Sequence, residues 1–360
     1  MERALYAMGK RKVKYDGKRT ALTVLCILLG VIFVVLLGGT IWAEVLLGSI
    51  GKLNPNLGAS QEQIDAYLSE TDPLEGFTGE ILSGNEVSLP DMPAQSIDKS
   101  EHMINILLVG QDRRSGSTNG RSDAMILCSV NTRENTVILT SFMRDMWVKI
   151  PGKFNERLNV AYMIGGFDLL NKTLQENFGI LIDHNVEVDF KAFEQMVDIL
   201  GGVAVELTAA EAEYLNRRGN WDIDNSTAHT WHLTEGKNLL YGNQALAYCR
   251  IRTVGADGDF GRTGRQRKVL GALIEKSKNM SVAQMITSAN KVIPLLATDM
   301  DSGQILSYIR QFAPMLSSLQ IINQRIPADG AYSSVMIDGK AVLRVDFEAA
   351  HRLLVNTIGE

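Results

Sequence analysis

The sequence predicts an α/β fold: a three-layer α-β-α sandwich around a mixed sheet, preceded by one transmembrane helix. Three observations carry this. Residues 104–110 (INILLVG), 124–131 (AMILCSVN) and 137–142 (VILTSF) are near-continuous apolar runs, the texture of strands buried on both faces. They alternate with stretches whose apolar residues recur at helical spacing, the pattern of helices laid on a sheet. Residues 21–43 form a run of 23 residues without a charge, long enough as a helix to span the roughly 30 Å hydrocarbon core of a bilayer.

In chain order, residues 1–20 read as a cytoplasmic basic tail. Seven basic side chains stand against two acidic ones there, a net +5, so the remainder carries −10 of the total −5. Positive charge stays on the cytoplasmic side, so the basic flank places everything after the 21–43 helix outside the cell, with Trp42 at the far interface. Segment 44–100, rich in Gly, Ser, Pro and acids, reads as an extracellular stalk with one short helix near 61–69 opened by Ser60. Residues 101–360 read as one α/β domain around a single sheet. Its helices at 167–178 and 190–200 each run into a glycine, Gly179 and Gly201. VAVEL (203–207) and ALAYCRIR (245–252) read as strands, and 262–278 as a helix.

Composition removes several functions. With 36 basic and 41 acidic residues the chain is not a bulk nucleic-acid binder. Three cysteines make no disulfide framework or metal spacing; Cys128 and Cys249 lie in apolar segments and read as buried thiols, with a disulfide left open. The five histidines show no H-E-x-x-H spacing, and no Walker phosphate loop is present.

Arginine and aspartate interrupt the apolar elements. Asp112, Arg113, Arg114, Arg121 and Asp123 follow the first strand, and Arg144 and Asp145 the third. Arg250 and Arg252 precede a loop with glycine at 255, 258, 261 and 264. Strand alternation puts Arg250 and Arg252 on one face, and helical spacing makes Arg262 and Gln266 neighbours. Guanidinium forks match phosphate oxygens, and paired carboxylates supply the hard oxygens that Mg²⁺ prefers. Each pair alone is more often a surface salt bridge than a ligand site.

The ordered motifs NILLVGQDRRSG, GRSDAMIL, SFMRDMWVKIPG, RLNVAYMIGG, VEVDFKAFEQMVDILGGV, LLYGNQALAYCRIR and GDFGRTGRQRKVL resemble the LytR–CpsA–Psr family of membrane-anchored, extracellular phosphotransferases. The resemblance is strong over residues 104–275. Met143 stands where the family often has proline, and Gln111 where a small residue is common.

The resemblance implies transfer of a glycopolymer, a teichoic acid or capsular polysaccharide, from undecaprenyl pyrophosphate to a hydroxyl of peptidoglycan. It implies Mg²⁺, or Mn²⁺ in its place, at Asp112 and Asp123, and a pyrophosphate-binding set of Arg121, Arg144, Arg250, Arg252, Arg262 and Gln266. Arg121 and Arg144 would also stabilise transition-state charge, and Asp259 is the candidate base, its alternative role being to hold an arginine. A tunnel for the polyprenyl tail is expected between the sheet and the helices at 167–178 and 190–200. Two other readings use the same residues: a polyprenyl-pyrophosphate hydrolase, and a non-catalytic envelope regulator that binds pyrophosphate lipids.

Overall fold

A computed structural model describes residues 51–53, 58–73, 77–84, 87, 89, 94–111, 122–217, 231–255 and 258–359. The basic tail and the expected 21–43 helix lie outside them. Among the described residues no helix is long and apolar enough to cross a membrane.

The chain opens with β1 (Gly51–Lys52), α1 (Gln61–Leu68) and β2 (Glu80–Leu82). Three long strands follow, β3 (Met103–Gln111), β4 (Ser122–Asn131) and β5 (Thr136–Phe142), then the ribbon β6 (Trp147–Lys149) and β7 (Asn155–Arg157). Next come α2 (Leu158–Phe178), β8 (His184–Asp189), α3 (Phe190–Ile199), β9 (Val203–Leu207), α4 (Ala209–Asn216), β10 (Gly236–Leu240), α5 (Gly242–Arg250) and α6 (Gly258–Lys278). The last part comprises α7 (Val282–Val292), β11 (Ala297–Thr298), α8 (Ser302–Phe312), β12 (Gln320–Ile326), β13 (Tyr332–Ile337), β14 (Lys340–Val345) and α9 (Phe347–Ile358).

Seven strands make the main sheet, in the order β1-β11-β8-β3-β4-β5-β12. It is mixed: β3 pairs with β8 and β5 with β12 in parallel, while β4 runs antiparallel to both its neighbours. Leu107, Val109, Leu127 and Phe142 point to the face covered by α2 and α9, where Leu170, Leu174, Phe178 and Leu354 seal them off completely. Ile126, Val130, Val137 and Leu139 point to the opposite face, against Leu270 and Ile274 of α6 and Phe312 of α8. A third core, built on Val203, Val205, Leu240 and Tyr248, joins β9, β10 and α5 to the other side of α6 through Val269 and Leu273.

Apart from residues 245–252, the strands and helices expected from periodicity form where expected, with α2 beginning earlier and broken at Gly165 and Gly166. Gly179 ends α2 with φ +76°; a Cβ there would lie 2.1 Å from the Gln95 carbonyl oxygen, so both conformation and space demand glycine.

Two expectations are corrected. Residues 245–250 are helix α5, not a strand, and Ile251 caps it, so strand alternation does not relate Arg250 to Arg252. The apolar run ALAY fits a buried helix as well as a strand, and Ala245, Leu246, Ala247 and Tyr248 are indeed all buried. Segment 44–100 is, where described, integrated rather than a loose stalk. Ser60 and Gln63 form a capping box that starts α1, whose Ile64 and Tyr67 enter the core under α2. Asp72 accepts from the Ala341 amide and from Arg157, and β2 adds a parallel strand to β13.

Candidate active site

The site forms at the carboxyl end of β5, where the chain leaves the sheet as Met143-Arg144-Asp145 and meets the amino end of α6. Asp259, in the first turn of α6, is its hub. Its Oδ2 accepts from Arg262 Nη2 at 2.8 Å and lies 3.9 Å from Arg144 Nε; its Oδ1 lies 3.7 Å from Arg252 Nε. Arg144 Nε also lies 3.5 Å from Asp145, whose other oxygen is 3.9 Å from Arg157 Nε. Arg157 continues to Asp72 and to the Ala341 carbonyl at 2.8 Å. The result is a ladder of alternating guanidinium and carboxylate groups. Burial pushes the Asp145 carboxyl above its ordinary range, helped by Asp259 and opposed by Arg144.

The structure thus brings Arg144, Arg252, Asp259 and Arg262 together. Arg250 is placed differently, its guanidinium 4.8 Å above the ring of Phe190 at the start of α3. Gln266 sits one turn beyond Arg262, its Oε1 buried and without a hydrogen-bond partner among the described residues. Asp112, Arg121 and the side chain of Asp123 lie outside the described residues.

One residue of the site has no counterpart in the sequence reading, and another gains its role only from the structure. Arg265 holds the segment bearing Arg252: it donates to Glu211 at 2.7 Å, to the Ile251 carbonyl at 3.2 Å and to the Val254 carbonyl at 2.9 Å. Asp145 was visible beside Arg144, but its closeness to Arg157 and Asp259 depends on contacts distant in sequence. Both departures from the family pattern are buried. Met143 packs into the core and accepts from Thr263, and Gln111 bonds Tyr162 and Glu187 beneath the end of β3.

The apolar face beside this cluster is unevenly covered. Along β3, odd-numbered positions are buried against α2, whereas Ile104, Ile106, Leu108 and Gly110 on the α6 face are only partly covered. α2 packs on the closed face, and Val197 of α3 belongs to the core around β9. Cys128 and Cys249 are free thiols, both pushed up to about 12 by burial.

The LytR_cpsA_psr family model matches residues 76–356. A protein of Oceanobacillus iheyensis named polyisoprenyl-teichoic acid–peptidoglycan teichoic acid transferase TagU is 33% identical over 225 residues, which span 60% of this chain and 64% of that relative. A protein of the same name from Bacillus mycoides is 28% identical over 84% of this chain and 87% of its own length. Among solved structures, the family protein YwtF (TagT) with bound octaprenyl pyrophosphate lipid is 25% identical. That match covers 76% of this chain and all of that one, with a TM-score of 0.52.

Proposed function

Because the chain belongs to the LytR–CpsA–Psr family, we propose that it transfers a teichoic-acid-type glycopolymer from a polyprenyl-pyrophosphate carrier to a hydroxyl of peptidoglycan. The observation that carries this reading is the convergence of Arg144, Arg252 and Arg262 on one carboxylate, beside an apolar sheet face left partly open. The arginines suit a pyrophosphate and the open face suits a prenyl chain.

In the transfer, the acceptor hydroxyl oxygen attacks the phosphorus that bears the polymer. The P–O–P bridge breaks, polyprenyl phosphate leaves and a phosphodiester forms as the hydroxyl gives up its proton. Charge accumulates on the phosphoryl oxygens, and guanidinium groups already fixed in place stabilise it without reorganising. Three arginine contacts support Asp259 as the residue that aims this cluster, the alternative to its role as base. Asp145, whose carboxyl burial gives a raised proton affinity and which lies 3.5 Å from Arg144, is a second candidate proton acceptor. Arg121, Arg250 and Gln266 would complete the pyrophosphate contacts.

Asp112 and Asp123 would hold Mg²⁺ or Mn²⁺. What supports this is the pairing of Gln111 with Ser122, which puts the chain positions just before Asp112 and Asp123 side by side on adjacent strands. Such a metal neutralises phosphate charge when bound. The full-length chain, incubated with a lipid-linked donor and peptidoglycan oligomers, is expected to yield the joined product by mass spectrometry. EDTA, or Asp112→Ala with Asp123→Ala, is expected to abolish that product without unfolding the protein. A product formed only with water would establish the hydrolase reading, and binding without turnover the regulator reading.

We infer that residues 21–43 anchor the chain with the domain outside the cell. Protease added to intact protoplasts is then expected to degrade the domain. Its full protection would reverse this orientation.

A further inference from the structure

The sheet-facing stripe of α6 contains one residue that breaks its pattern. Leu270 and Ile274 of this stripe pack on the apolar face of β4 and β5, and Thr263 meets Met143. Arg267 lies between them at helical spacing, a charged side chain where the pattern calls for an apolar one. Its Nε and Nη1 are buried and have no hydrogen-bond partner among the described residues.

Among the described residues, the side chains that register places below it are a hydroxyl and a second guanidinium. Register places Arg325 of β12 beside Ser141 of β5, and alternation turns both toward α6, the side of Leu139 and Ile321. Ser141 is 1% exposed and its hydroxyl is likewise without a partner. Arg325 stacks over Phe260 at 4.4 Å, with its own carboxylate partner, Asp329, out in solvent. The two guanidinium groups feel each other: burial first, then Arg325, draws Arg267 down to about 10, which leaves it charged at neutral pH.

A guanidinium group with buried, unpaired N–H groups beside a second cation is costly unless an anion joins them. We propose that Arg267, Arg325 and Ser141 form an anion subsite between α6 and the β5–β12 edge of the sheet that takes a phosphate group of the substrate. A phosphate attached to the prenyl chain and a phosphate of the polymer backbone are the two sources of this chemistry, and Leu270 of the same helix stripe, which packs in one cluster with Leu108 of the partly covered face, favours the first. This assignment rests on the transferase reading above and specifies its substrate contacts.

The test uses the full-length chain in detergent, wild type against Arg267→Met, followed by thermal denaturation. Without ligand, the variant is expected to melt about 2–4 °C higher, because an uncompensated buried charge has been removed. The wild-type melting temperature is expected to rise on adding geranylgeranyl monophosphate, and the variant to lose that rise. Loss of the response to a glycerol-phosphate trimer alone would establish the subsite with the polymer as its source. Arg267→Gln, which keeps a side-chain donor without the charge, repeats the measurement should the methionine variant misfold. A variant that melts lower than wild type, or keeps its response to both probes, overturns the subsite, as does a wild type that responds to neither. Absence of the joined product from the wild-type transfer assay would instead overturn the transferase reading and leave these shifts intact.

Discussion

Arg252→Lys is expected to lower the rate of transfer about 30- to 1000-fold while leaving the melting temperature within a few degrees of wild type. The side chain of Arg252 is 45% exposed, and its ion pair with Asp259 is long, at 3.7 Å, so little folding energy resides there. Lysine keeps the charge but cannot present two parallel N–H groups to a phosphate. Arg262→Lys provides the contrast. That arginine is 2% exposed and bonds Asp259 at 2.8 Å, so the shorter, more strongly hydrated ammonium is expected to cost about 2 kcal/mol or more of stability as well as activity. Initial rates of product formation, measured alongside denaturation curves, separate the two. An Arg252→Lys protein that transfers at the wild-type rate would remove this residue from the site. Parallel losses of stability and activity in both variants would mean that the arginines form a structural network only.

Arg265→Ala is expected to have the largest effect on stability, about 3–5 kcal/mol, because it leaves Glu211 buried without its charge partner. It also frees the Ile251 and Val254 carbonyls on either side of Arg252, so transfer is expected to fail even in the fraction that stays folded. Arg265→Lys distinguishes positioning from bulk stability. An ammonium can still face Glu211, but it cannot reach two carbonyls at once in the arginine's geometry. This variant is expected to recover much of the lost stability and little of the transfer. Denaturation of Arg265→Ala within about 1 kcal/mol of wild type would show that the clamp contributes little.

These expectations rest on information of two kinds. The three central strands, the helix ends at Gly179 and Gly201 and the helix start at Ser60 were legible because they depend on periodicity, backbone conformation and side-chain-to-backbone bonds within a few residues. The segment at 245–252 was misread because a short buried helix and a short buried strand are equally apolar. Only the packing of Ala245 and Tyr248 against β9, β10 and α6 selects the helix. The N-terminal segment was misread as a stalk because its polar composition conceals Ile64 and Tyr67, whose burial depends on a surface formed by residues far along the chain.

By itself, then, the sequence determined the mixed α/β fold and the family, since residue types and local order are enough for these. Only the tertiary structure decided which arginines converge on Asp259, that Arg265 holds the Arg252 segment, that α2 closes one face of the sheet while the other stays partly open, and that Arg267 faces Arg325. Each of these joins groups separated by tens of residues or more, or turns on which way a helix face points. Charge and hydrogen bonding act through distances in space, which one-dimensional spacing does not encode.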